Sequence, residues 1–185
     1  MKLRTLALAA LAPLCLAFVH DFGNNYDNAR FCAVTSIEID AGQTLSIANN
    51  AIHWRKDLFD MVKTGASVQF FKPDAWRRKI ANAKVPAAMT LGGQAIGAGD
   101  WSVAIRVPAD DTSKFFLSWT MGDKTVDVPL AMTGGHDAED HLLMALTPRG
   151  IEKESKAFSL KVWYGDLAGS IAGSFDAAAA STSGK

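Results

Sequence analysis

Several stretches of this chain alternate apolar and polar residues with a period of two, and no other feature constrains its fold as tightly. In GDWSVAIRVP, Trp101, Val103, Ile105 and Val107 share one parity, while Ser102, Ala104 and Arg106 share the other. Successive side chains of a strand point to opposite faces, so this pattern predicts a strand buried on one side. KFFLSWT groups Phe115, Leu117 and Trp119 in the same way, and KTVDVPLAM groups Val126, Val128, Leu130 and Met132. The Met121-Gly122-Asp123-Lys124 junction between them has the residues of a tight hairpin turn. HLLMALTP would also suit a helix start, but its brevity and its stop at Pro148 favour a strand. AFSLKVWYG and LAGSIAGSF follow, joined by a compact turn near Gly165 and Asp166. Nearer the N-terminus, FCAVTSIEI and TLSIA flank DAGQ as two further strand candidates.

The interval from about residue 52 to residue 84 has a different texture. IHWRKDLFDMVK places Trp54, Leu58, Met61 and Val62 at helical spacing with charges between them, which predicts an amphipathic helix. SVQFF reads as a brief strand. Beyond Pro73, Trp76, Ile80 and Ala83 form a 4-then-3 stripe, with Arg77, Arg78, Lys79 and Lys84 on the other faces of a predicted second helix. Strands punctuated by turns, each apolar on one face, describe a mainly β protein. The expected architecture is an antiparallel β-sandwich over residues 31–175 with a short helical insertion at about 52–84. With 49% hydrophobic and 21% charged residues in 185 positions, one core of ordinary size suffices. Residues 18–30 read as a polar leader, and DAAAASTSGK, from residue 176 on, as a low-complexity tail.

The N-terminal stretch MKLRTLALAALAPLCLAFVHDFG carries Lys2 and Arg4, then an apolar run from Leu6 to Val19, then polar residues. This is the layout of a secretory signal peptide, too short to span a bilayer comfortably, with cleavage expected after Ala17. The expected location is therefore periplasmic or extracellular, with no transmembrane segment after signal removal. Leu14 precedes Cys15 where a lipoprotein signal needs a small residue, which argues against lipidation. Loss of Lys2 and Arg4 leaves 17 of the 19 basic residues against 19 acidic ones. A mildly acidic protein lacks the basic surplus that phosphate contacts require, which excludes nucleic acid as the expected partner. Cleavage also removes Cys15, leaving Cys32 alone in apolar RFCAV surroundings, where it is expected to pack as a small hydrophobe.

The order TLGGQAIGAGDWSVAIRVP, VDVPLAMT and FSLKVWYGDLAGSIAG resembles a family of secreted bacterial proteins of unknown function. The matching positions are Gly92, Gly93, Ala98, Gly99, Trp101, Ser102, Val103 and Pro108, then Leu160, Val162, Trp163, Tyr164 and Gly165. The match covers roughly residues 91–175. KTGAS at residues 63–67 departs from the W.TGAN segment found upstream in many members. The resemblance implies an exported, mostly β domain and supplies no catalytic residues.

Chemistry concentrates in GGHDAEDHLL, residues 134–143, where two histidines and three carboxylates crowd together. His136, Asp137, Glu139 and His141 are suitable ligands for a divalent metal. However, the two histidines stand five apart, which puts them on opposite faces of a strand and about 140° apart on a helix. Only a loop joins them on one ion, and Glu139 or His53 is needed as a further ligand. The competing reading makes the cluster a solvated turn at a charged sheet edge. Gly-x-Ser-x-Gly is absent, and nothing in the spacing supports a triad of Cys32, His53 and Asp57. Trp163 and Lys161 share the less apolar parity of their strand, so Trp163 is either covered by the helical insertion, through Trp54 or Trp76, or part of a glycan-binding surface. The sequence thus favours a non-catalytic binding or accessory protein of the cell envelope, whose partner is an unknown protein or small ligand and which needs no cofactor. A metal-binding protein or metal-dependent hydrolase at His136 and His141, and a glycan-binding module using Trp163, are the alternatives.

Overall fold

The computed structural model describes residues 32–40, 42–135, 139–150 and 156–175. Two antiparallel sheets face each other as a β-sandwich. The first runs in the order β1 (Cys32–Asp40), β2 (Gln43–Asn50), β3 (Asp74–Val85), β6 (Gly99–Pro108), β7 (Phe115–Met121) and β8 (Lys124–Leu130). The second runs β10 (Glu139–Pro148), β11 (Ala157–Gly165), β12 (Leu167–Ser174), β4 (Met89–Leu91) and β5 (Gln94–Ile96), with the short β9 (Met132–Thr133) also on β12. The apolar parity of each strand lines the space between the sheets. Leu45, Ile47, Trp101, Val103, Ile105, Leu117, Trp119 and Val128 from the first sheet meet Leu142, Phe158, Leu160 and Val162 from the second, all at 1% exposure or less. The sheets are also tied at one margin, where the Asn49 side-chain amide donates to the Leu142 carbonyl at 3.2 Å and the Leu146 amide donates to the Thr35 hydroxyl at 2.9 Å.

The helical content is smaller than the sequence suggests, and the segment from residue 74 on corrects it. Residues 74–85 form not a helix but β3, a twelve-residue strand paired with both β2 and β6. The strand has register shifts between Asp74 and Trp76 and between Lys79 and Ala81, and the second gives its apolar residues a helical spacing. That bulge inserts one extra residue at Ile80, so the odd step from Ile80 to Ala83 follows the even step from Trp76 to Ile80 and the three fall at a helix-like interval although all belong to one strand. SVQFF is likewise not a strand: Val68–Phe71 makes a single turn, α2, with Phe70 67% exposed. A run this short has no period to read. The predicted amphipathic helix is present as α1, Lys56–Lys63, but it turns a different face inward. Phe59 and Val62 are buried while Leu58 is 45% exposed, and Trp54 lies before the helix starts. Phe59 sets the face, because its ring packs on Trp54 at 5.0 Å and stacks on Phe115 at 6.2 Å. Among the described residues, no helix is long and apolar enough to cross a membrane.

Candidate functional site

Between β2 and β3, both strands of the first sheet, the chain crosses over to the edge of the second, touches β10 at an isolated antiparallel bridge between His53 and His141, and returns. The Trp54 amide donates to the Asp140 carbonyl at 2.7 Å, and the Leu142 amide donates to the Ile52 carbonyl at 2.8 Å. The bonds thus flank the histidines instead of joining them. This is the non-hydrogen-bonded type of antiparallel pair, in which facing side chains approach most closely. Ile52 and Leu142 turn inward, so both histidines turn outward and are exposed, with ring centroids 5.1 Å apart.

An aromatic cluster holds this crossover in place. The Trp54 ring meets Tyr164 edge-on at 4.7 Å, and Trp76 stacks on the other side of Tyr164 at 5.8 Å. The Tyr164 hydroxyl donates to the His53 carbonyl at 3.2 Å. Burial pushes the Tyr164 phenol above its usual value, opposed by the nearby Arg78 guanidinium, while burial lowers the Arg78 value. Gly165 allows the approach: its φ of +61° is left-handed, and a Cβ there would stand 2.3 Å from the Trp54 ring. Trp54 and Trp76 therefore cover Tyr164 and not Trp163, contrary to the cover expected for Trp163.

Trp163 itself is partly buried on the outer face of the second sheet. It pairs with Leu143 on β10 and Ala168 on β12, while Lys161 pairs with Ala145 and Ser170. Leu143 follows His141 by two residues, and both are exposed on either side of the buried Leu142. The fold therefore gathers His53, His141, Leu143, Trp163 and Lys161 on one outer face. Glu139 opens β10 opposite Gly165. His136 and Asp137 lie outside the described residues, and among those described no group of three or more potential ligands comes together. Asp57, which the sequence gives no reason to join to Cys32 and His53, is engaged by the Arg55 guanidinium.

A second feature lies on the outer face of the first sheet. A groove of about 460 Å3 crosses β1, β2, β3, β6 and β7. Its floor is low because Ser46, Ala48 and Ser102 are short, and Asn82, Lys84, Asp100 and Thr120 add polar groups around them. Lys84 and Asp100 are register partners across β3 and β6, so one positive and one negative residue stand on neighbouring strands at the groove. Val34 and Met121 provide apolar margins. Sequence parity marked Ser102 as outward, but only the pairing of five strands turns such residues into a depression.

No protein-family model matches the chain, and neither curated proteins nor solved structures show a match to it.

Proposed function

We propose that this chain is an exported, non-catalytic binding protein whose ligand lies in the groove of the first sheet. The groove carries the reading: its volume of about 460 Å3 falls in the range of small-molecule sites, about 300–1,000 Å3. Three hydroxyls and one amide, from Ser46, Ser102, Thr120 and Asn82, offer donors and acceptors that suit a polyhydroxylated ligand. The formal charges of Lys84 and Asp100 cancel, which favours a neutral molecule, and a short neutral glycan is the class that fits. No histidine lines the groove, so its hydroxyls have no imidazole there to activate them as nucleophiles. Export is supported by the basic residues Lys2 and Arg4 followed by the apolar run to Val19.

Calorimetric titration of the untagged protein with neutral oligosaccharides tests the proposal. Asn82→Ala and Ser102→Leu should each weaken binding at least about tenfold, because one removes an amide partner and the other fills the floor. Trp163→Ala should leave it unchanged. Failure of every neutral oligosaccharide to bind rejects the groove as a sugar site. Loss of binding in Trp163→Ala alone would move the ligand to the second sheet.

A further inference from the structure

We infer that His53 and His141 form a two-histidine site for a divalent transition-metal ion of the zinc type, which clamps the crossover between the sheets. This site is separate from the groove and does not depend on it. Three observations converge on it. Both side chains are exposed and project from the same bridge, so an ion reaches them without disturbing the core. The bridge is of the closely spaced, non-hydrogen-bonded type, which fixes both backbones and brings the two imidazoles together edge-on, with 60° between their planes, so that a shared ion needs each ring to turn one nitrogen towards it. The ring spacing also suits a shared ion. A zinc–nitrogen bond of about 2.05 Å, with the ring centre about 1.15 Å behind the nitrogen, puts the metal about 3.2 Å from each centroid. At a tetrahedral angle the two centroids then stand about 5.2 Å apart. The observed separation is 5.1 Å.

Imidazole nitrogen is a ligand for zinc, copper and nickel, whereas calcium and magnesium select oxygen. With two protein ligands the remaining positions fall to water, so the ion is exchangeable. Its structural effect follows from where the histidines sit. His53 belongs to the segment that connects β2 to β3 within the first sheet, and His141 belongs to β10 of the second. An ion bound to both ties this segment of the first sheet to the second sheet at the bridge it makes with β10. Binding to the folded chain alone must stabilise it.

Thermal unfolding of the untagged protein with and without Zn2+ is the test. Saturating Zn2+ should raise the midpoint by about 5 °C, and EDTA should reverse the rise. Zn2+ should also slow amide exchange at Trp54 and Leu142, whose bonds flank the pair. His53→Gln and His141→Gln keep side-chain bulk at exposed positions, and each alone should abolish both effects. Absence of a Zn2+ effect in the unaltered chain overturns the inference. So does a rise of equal size in either variant, because the ion would then be held elsewhere.

Discussion

The two aromatic clusters of this sandwich are built by different means. Trp101 and Trp119 stand on neighbouring strands of one sheet, both at 1% exposure or less, with ring centroids 6.5 Å apart. Regular alternation along β6 and β7 delivers them there. The cluster of Trp54, Trp76 and Tyr164 instead joins a crossover segment, a bulged strand and the end of β11. It exists because one glycine lets an indole lie against the backbone. The first cluster lies wholly within one ladder, while the second ties Trp54, outside any strand, to residues of two different strands, and such a junction is expected to open more readily than the ladder. The outward-facing histidines are mounted on the junction.

Trp119→Ala should have the largest effect. Removing a fully buried indole costs about 3–5 kcal/mol through lost burial and the cavity left behind. Chemical denaturation should show this loss as a lower midpoint at unchanged slope, and amide protection should fall throughout both sheets. Gly165→Ala comes next. A left-handed φ costs an L-residue about 1–2 kcal/mol and the clash with Trp54 adds to it, for a total of about 2–3 kcal/mol. Its distinguishing outcome is local. Exchange at the Trp54 and Leu142 amides should accelerate more than exchange at Val103 or Leu117. Equal acceleration at all four would show that junction and ladder open as one unit, and would erase the distinction between the clusters.

The same contrast explains what could be read from the sequence. Strands β6, β7, β8 and β11 are legible because each keeps strict parity, and a period of two has no helical interpretation over seven or more residues. β3 is not, since the bulge between Lys79 and Ala81 gives its apolar residues a helical interval and hides a strand central to the first sheet. Leu58 was a natural candidate for the buried face of α1, but periodicity does not say which of two adjacent stripes meets the core. Packing by Phe115 decided for Phe59. Among the site residues, His141 stood out through its dense local chemistry. That His53 is its direct partner depends on where a crossover lands, a long-range register that no local pattern encodes. Trp163 was correctly placed on the outward parity, while its supposed cover proved to serve Tyr164 on the opposite side of the strand.

Tyr164→Phe should have the smallest effect and isolates the polar tie within the junction. The ring stays, so contacts with Trp54 and Trp76 persist, and only the bond from the hydroxyl to the His53 carbonyl is lost. A neutral hydrogen bond contributes about 0.5–1.5 kcal/mol net. The bond is only part-buried, so the loss should fall at the lower end of that range. The pH dependence is more diagnostic. Burial raises the Tyr164 value above the ordinary 10.0, so the folded chain holds this proton where the unfolded chain has begun to release it. The stability linked to that proton is fully present below about pH 10 and is lost as pH rises through the raised folded value. Phenylalanine has no such proton. Denaturation midpoints of the two proteins should therefore run parallel from pH 7 to 9, then converge above pH 10 as the tyrosine form loses its advantage. Parallel curves up to pH 11 would mean that the junction already admits water at Tyr164, which would remove the main physical difference between the two aromatic clusters.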